Sequence, residues 1–519
     1  FTAYRSFPIR GAFEVISPDP REIRCETCAH IASTSDEGLE GNLLFVGPGS
    51  LEDYAGKDAQ GKIVLTEISY APPRPEKARI AALKGAEAIV FMNWGPVEYD
   101  TIPRGAIKSV WGNPTRETMS RIPQIPALGI TRAAGEQLRD QLTQGPVRVR
   151  VVAQATRDWG PLWLPWARLT TGNDDFVLVG GHYDAWEPGM TDNASGNALM
   201  LELARVFAEH RHELKRDIVF AFWNGHEIGD MEGSSWYVDT YWDDLNDHCI
   251  AYLNIDTIGM IEATQYTTAA SPEFRRFHEA IETRILGTPG RHKPLTRIGD
   301  QSFFGIGIPS IYGQYSHSPE TIKKWHNATL GWWWHSSEDT IDKIDRDLYL
   351  QTMRVKSAYI WDLCTADVLP ISAGDLAGDL ADRIRQAQSL AGDKLALRLP
   401  VEAFQDAASK LDALAQSDLG KDPQRIPQIN RALMRLTRIL SPIFRTVGGR
   451  YSQDSYGLTA LKAPIPGLAD LEYLASCAPD DEMRYLLYTE LVRARNRLAD
   501  ALRTATEEVY RVLDTSDAQ

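Results

Sequence analysis

Three runs in the middle of the chain, residues 176–180, 218–223 and 251–255, are almost wholly apolar. A strand without a polar face has no side to offer to water, so such runs belong inside a sheet covered by helices on both faces. The segment 193–209 carries Leu199, Leu203, Val206 and Phe207 at helix spacing and supplies one such cover. The alternation continues from about residue 150 to 365 and predicts an α/β domain. His182, Glu227 and Asp256 each follow one of the three runs closely. Open α/β sheets gather their functional groups at that end of the strands.

Asp192 and His335 extend these three to a set of five imidazole and carboxylate side chains. Nitrogen and oxygen donors of this kind are what two divalent cations need in a hydrolytic site. Asp192 opens a helical segment, where free N–H groups would stabilise it as a cap; as a bridge it would partly cancel the repulsion between two cations. Asp256 ends an apolar strand, an expensive place for an unpaired charge. Asp184 lies on the same side of an extended segment as His182, from where it could fix the imidazole tautomer. The residue before Glu227 is His226, and the residue before His335 is Trp334, the last of three consecutive tryptophans. An imidazole near its ordinary pKa of about 6.5 accepts and returns protons at neutral pH, although neighbouring dications lower that value. Trp334 offers an indole N–H or a stacking face but no hydroxyl. Asp300, and with less support Arg297, His317, Lys323 and His326, fall on loops expected to face the same region.

Bulk properties exclude other classes. The 519 residues carry a net charge of -15, which argues against nucleic acid or an anionic membrane as the main partner. No apolar run approaches the roughly 20 residues of a membrane span. Five scattered cysteines do not make a disulfide scaffold, and Cys25-x-x-Cys28 with His30 lacks the second pair of a metal module. The glycan acceptor patterns at Asn193 and Asn327 read as chance, since a sugar on Asn193 would block the site. The sequence leaves the compartment open, with the cytoplasm favoured and an upstream targeting segment not excluded by a chain that starts at Phe1.

Residues 1–150 read as an accessory α+β domain whose N-terminal segment packs on the catalytic domain, with strands at 43–46, 63–66, 88–91 and 125–128 and helices at 75–85 and 131–141. Residues 151–365 form the catalytic domain. Residues 366–519 read as helical, opening on a loose Gly/Asp-rich stretch at 372–379, with helices at 401–416, 431–440 and 481–512 and an irregular segment at 448–466.

The motifs Gly180-Gly181-His182-Tyr183-Asp184, Gly189-Met190-Thr191-Asp192-Asn193, Phe222-Trp223-Asn224-Gly225-His226-Glu227-Ile228-Gly229, Asn254-Ile255-Asp256 and His335-Ser336-Ser337-Glu338-Asp339-Thr340 resemble, in order, those of the co-catalytic zinc aminopeptidase and glutamate carboxypeptidase family. Gly61-Lys62-Ile63-Val64 and Gly85-Ala86-Glu87-Ala88 resemble its protease-associated domain, and 430–436 the helical dimerisation domain of the transferrin receptor branch. The resemblance implies a phosphorylase/hydrolase-like α/β/α sandwich, two divalent metals expected to be zinc, and a homodimer formed through the C-terminal helices. It implies that Asp192 bridges the metals, with His182 and Asp256 on one and Glu227 and His335 on the other. His226 occupies the place of the family's glutamate base, and Trp334 that of a tyrosine that holds the oxyanion. The expected activity is hydrolysis of an amide or peptide bond in a small substrate or short peptide by metal-activated water, with His226, Asp184 and Trp334 as the catalytic side chains. The alternatives are a metal enzyme of changed chemistry (ester or lactone hydrolysis, a lyase or a cyclase) and a non-catalytic binding protein.

Overall fold

The computed structural model describes residues 1–514 except 298, 393, 394 and 398. Its central sheet has seven strands: β1 (Trp166–Leu169), β2 (Phe176–His182), β3 (Asp217–Trp223), β4 (Cys249–Asn254), β5 (Ala263–Ala270), β6 (Arg291–Pro294) and β7 (Ser310–His317), in the order β1-β3-β2-β4-β7-β5-β6. The inner strands β3, β2, β4 and β7 run parallel, and β1 closes one side antiparallel. Every residue of β2 and β4 is buried. Strand alternation explains their composition. Val177 and Val179 of β2 enter one core together with Leu199 and Leu203, whereas Phe176 and Leu178 enter a second with Tyr237 and Phe303.

Helices α1 (Ser195–Glu209) and α2 (Arg346–Thr365) pack against β2 on the first of these faces. The start of α1 lies two residues later than periodicity predicts. Asp192 (φ -127°, ψ 85°) and Asn193 (φ -137°, ψ 34°) are not helical, so Asp192 is free to project instead of capping.

The first part of the chain forms an eight-stranded sheet that includes Leu39–Phe45, Ile63–Glu67, Ala88–Met92 and Ala127–Ile130. Its helices are Arg74–Leu83 and Arg132–Gln144. The N-terminal strand Thr2–Arg5 pairs with Asp158–Pro161, and Phe1 stacks on Trp236 at 4.9 Å, which ties the terminus to the central sheet's helical layer.

The C-terminal region is helical: α3 (Ala373–Ala391), α4 (Val401–Gln416), α5 (Ile426–Arg445) and α6 (Glu482–Asp514). The stretch 372–379 corrects the sequence reading, because it is the N-cap and first two turns of α3 and not a loose segment. Ser372 caps the N–H of Asp375, and the Asp412 carboxylate, reaching from α4, accepts from the N–H groups of Ala373 and Gly374. Those bonds satisfy the orphan donors that a Gly/Asp-rich helix start otherwise leaves open. Helix α5 runs well beyond the 431–440 expected, with Pro442 inside it. Among the described residues no helix is long and apolar enough to cross a membrane.

Candidate metal centre

The five donors converge at the carboxyl ends of β2, β3 and β4. Asp192 lies at the middle: its Oδ1 is 2.8 Å from His182 Nε2, and its Oδ2 is 3.2 Å from His335 Nε2. Asp256 Oδ1 stands 3.5 Å from His182 Nε2 on one side, and Glu227 Oε1 3.0 Å from His335 Nε2 on the other. His182 Nε2, Asp192 Oδ1 and Glu227 Oε1 are buried, yet none has a hydrogen-bond partner. His182, Asp192 and Glu227 offer donor atoms that all lie within 4.8 Å of one another. Buried polar atoms that crowd together without bonding to each other are costly unless a cation sits between them. The donor set therefore fits two divalent metals, with His182 and Asp256 on one side of Asp192 and Glu227 and His335 on the other.

Neighbouring groups orient each donor. His182 Nδ1 donates to the Asp184 backbone carbonyl at 2.8 Å, which leaves Nε2 as the free donor. This revises the expectation for Asp184, whose carboxylate is 3.9 Å from that ring nitrogen. The carboxylate instead accepts from the N–H groups of Gly225, His226 and Glu227, at 3.1, 3.3 and 2.9 Å, and so positions the loop that carries Glu227. His335 Nδ1 meets the Arg104 carbonyl at 2.9 Å, a contact from a loop of the N-terminal region to the centre. The Arg104 N–H returns a bond to the His335 carbonyl, which holds that residue at φ 59°. A non-glycine residue in the left-handed region costs on the order of 1–3 kcal/mol and persists where the surroundings over-determine it. Asp339 accepts from the N–H groups of Thr191 and Asp192 and from the Thr191 hydroxyl, and so fixes Asp192.

His226 does not point at Asp192. Its ring stacks on His182 at 3.8 Å, and its Nδ1 is 2.9 Å from Asp300 Oδ2. Asp300, expected on a loop that faces this region, is the partner of His226. Burial and the His182 ring lower the affinity of His226 for a proton, but Asp300 and Glu227 outweigh them and bring its pKa to about 9. Divalent cations beside it would act in the opposite sense. The Trp334 indole N–H donates to Asp192 Oδ2 at 2.5 Å, and the indole stacks on His335 at 3.3 Å. A carboxylate oxygen has two lone pairs, so this bond leaves one for a metal. The other two tryptophans are structural: Trp333 is fully buried, and Trp332 stacks on Tyr99 at 3.7 Å.

A cavity of about 260 Å³ opens over Glu227 and His335, walled by Trp94, Leu330 and Trp334, with Arg74 and Tyr456 reaching in from the two ends of the chain. Arg297, His317, Lys323 and His326 do not line it. His317 bonds to the carbonyls of Ile261 and Thr329, and Arg297 lies over Trp111 at 4.5 Å. Burial pushes the Cys25 and Cys28 thiols up to about 12 and about 11, so the pair is not a reactive motif. His30 from the same stretch matters in another way: its Nε2 bonds to the Ile228 carbonyl at 2.7 Å, steadying the Glu227 loop. Asn193 Nδ2 is buried on the Ile255 carbonyl, which leaves no room for a glycan. Arg74, Arg104, Asp230, Asp339 and Tyr456 escaped sequence reasoning; only Asp339 lay in a motif, and none has a spacing signal.

This fold and site define a metal-dependent hydrolase of the peptidase type. Residues 166–360 match the profile of peptidase family M28, and residues 33–138 that of the PA domain. Among curated relatives, aminopeptidase YwaD of Bacillus subtilis is 26% identical over 370 residues, covering 68% of this chain and 74% of that protein. Aminopeptidase NAALADL1 of Rattus norvegicus is 25% identical over 346 residues, covering 57% of this chain and 46% of that one. The solved peptidase M28 precursor from Shewanella amazonensis shares the fold at a TM-score of 0.56 and 18% identity, over 71% of this chain and 84% of that one. The chain thus contains a peptidase M28 domain over residues 166–360 and a PA domain over residues 33–138.

Proposed function

We propose that the protein is a dinuclear zinc exopeptidase of the aminopeptidase type, acting on small peptides or amides, with His226 handling the proton. The observation that carries this reading is the two-sided arrangement of unbonded donors about Asp192. Bound there, two zinc ions would polarise the scissile carbonyl and acidify a water molecule. Asp184, Asp339 and Arg104 hold the donors in place, so little reorganisation is needed on binding. His226, oriented by Asp300, accepts a proton from the attacking water and returns one to the leaving amine. The Trp334 indole, whose one N–H is engaged by Asp192, supplies an aromatic wall to the cavity. The names of the aminopeptidase relatives support the substrate class.

Elemental analysis of protein purified without chelator is expected to give about two zinc per chain. Amino-acid amides and dipeptides are expected to be hydrolysed, with activity lost to a chelator and restored by zinc. Two metals with turnover of esters or lactones alone would favour the changed-chemistry reading, to which the His226–Asp300 pair lends weight. No metal, and none regained, would sink both.

We further propose a homodimer through the C-terminal helices. Near the start of α6, Tyr485 and Leu486 are 61% and 53% exposed, with Tyr488 half-exposed one turn on and Tyr473 half-exposed in the preceding helical segment Leu471–Ser476. An apolar patch of this kind marks an interaction surface. The double variant Tyr485→Asp/Leu486→Asp is expected to convert a dimer into a monomer in light scattering, with the melting temperature of the monomer fold retained. A wild-type monomer would refute it.

A further inference from the structure

The turn after Glu227 places a carboxylate in the cavity that the proposed reaction does not use. Asp230 (φ 50°) and Met231 (φ 65°) both lie in the left-handed region, and the Gly112 N–H holds the Asp230 carbonyl at 2.8 Å. The Asp230 side chain consequently lines the same cavity as Glu227, Trp334 and Tyr456. It is only 7% exposed, and its Oδ2 is buried without a hydrogen-bond partner. The cations nearby are engaged elsewhere. Lys108 bonds to Glu232 Oε1 at 2.5 Å and to the Gly112 carbonyl at 2.7 Å. Arg74 donates to the carbonyls of Arg104 and Pro103, at 3.2 and 3.4 Å. Asp230 is thus a buried carboxylate with no direct counter-ion, on a strained turn, facing a pocket with largely apolar walls. Burial pushes its pKa up to about 7 against the attraction of Lys108 and His226, so the charge as well as the strain is costly, and such costs are concentrated at binding sites.

We propose that Asp230 is the counter-ion for a cationic group, an ammonium or guanidinium, carried by the substrate. This deepens the reading above, since it takes the cavity to be the substrate pocket. A cation seated on Asp230 forms a charge-assisted hydrogen bond in a desolvated setting, where such bonds are strongest. Selectivity would therefore come from charge at one wall and from apolar contact at Trp94, Leu330 and Trp334.

Calorimetric titration of the zinc-loaded protein tests this without turnover. The probes are leucinol (an ammonium on the α-carbon), 6-aminohexan-1-ol (an ammonium at the end of a side-chain-like stem) and 4-methylpentan-1-ol (neutral), none of which has an amide or ester bond to hydrolyse. At least one cationic probe is expected to bind about tenfold or more tightly than the neutral one. Which one does so identifies the α-amine or the side chain as the source of the charge. In Asp230→Asn the preference is expected to fall to within about threefold of unity. Asparagine tolerates a positive φ, so the turn survives that change. Asp230→Glu, which keeps the charge, is expected to retain most of the preference. Equal binding of all three probes to the wild type, or an unchanged preference in Asp230→Asn, overturns the inference. If amides are hydrolysed without any cation preference, this inference alone fails; if cations are preferred but nothing is hydrolysed, only the peptidase reading does.

Discussion

Asp192→Asn is expected to leave a folded protein that no longer holds two metals and is inactive toward amides. The carboxylate puts one oxygen toward His182 and the other toward His335, 2.8 and 3.2 Å away. Asparagine has the same shape, but it loses a full charge and turns one oxygen into an N–H2 group aimed at a donor pocket. Two dications would then repel across a neutral bridge. Outer partners of metal ligands cost roughly 10–100-fold when removed. Loss of the shared donor should exceed that, and we expect activity to fall by about a thousandfold or more. Metal content by elemental analysis and the circular dichroism spectrum check the two halves of the claim. Two zinc ions and near-wild-type rates in Asp192→Asn would show that Asp192 is not the bridge.

The second large effect concerns His226. His226→Ala should reduce kcat by about 10²–10⁴-fold, the usual scale for a positioned acid–base group, with metal content unchanged. Its imidazole stacks on His182 without sharing the donor positions around Asp192, so the metals should survive its loss. Placing there the glutamate that the sequence resemblance implies, by His226→Glu, is not expected to help by itself. Asp300 Oδ2 lies 2.9 Å from the imidazole and its side chain is only 1% exposed, so a glutamate there would face a buried like charge. The double variant His226→Glu/Asp300→Asn removes that conflict and is expected to be the more active of the two. If His226→Ala loses less than about threefold, proton transfer runs through another group and the proposed role falls.

How far the sequence could be read is clearest from particular residues. The five donors were legible because each is a polar group directly beyond an apolar run or in an ordered motif, and a carboxylate or imidazole in such a place needs a reason. Helix α4 appeared at the expected bounds because its apolar spacing is local. The same local rule failed at 372–379, where the stabilising acceptor is Asp412, forty residues away from Ser372.

The sequence by itself determined the α/β core, the kinds of donor available and the placing of His226 and Trp334 directly before Glu227 and His335. Tertiary structure alone decided that the Arg104 carbonyl orients His335 across 231 residues, that Asp300 is the partner of His226, and that Asp230 faces the cavity unpaired. The physical reason is range. Propensity and periodicity act over a few turns of chain, whereas an orienting hydrogen bond or a missing counter-ion exists only once distant segments have packed against one another.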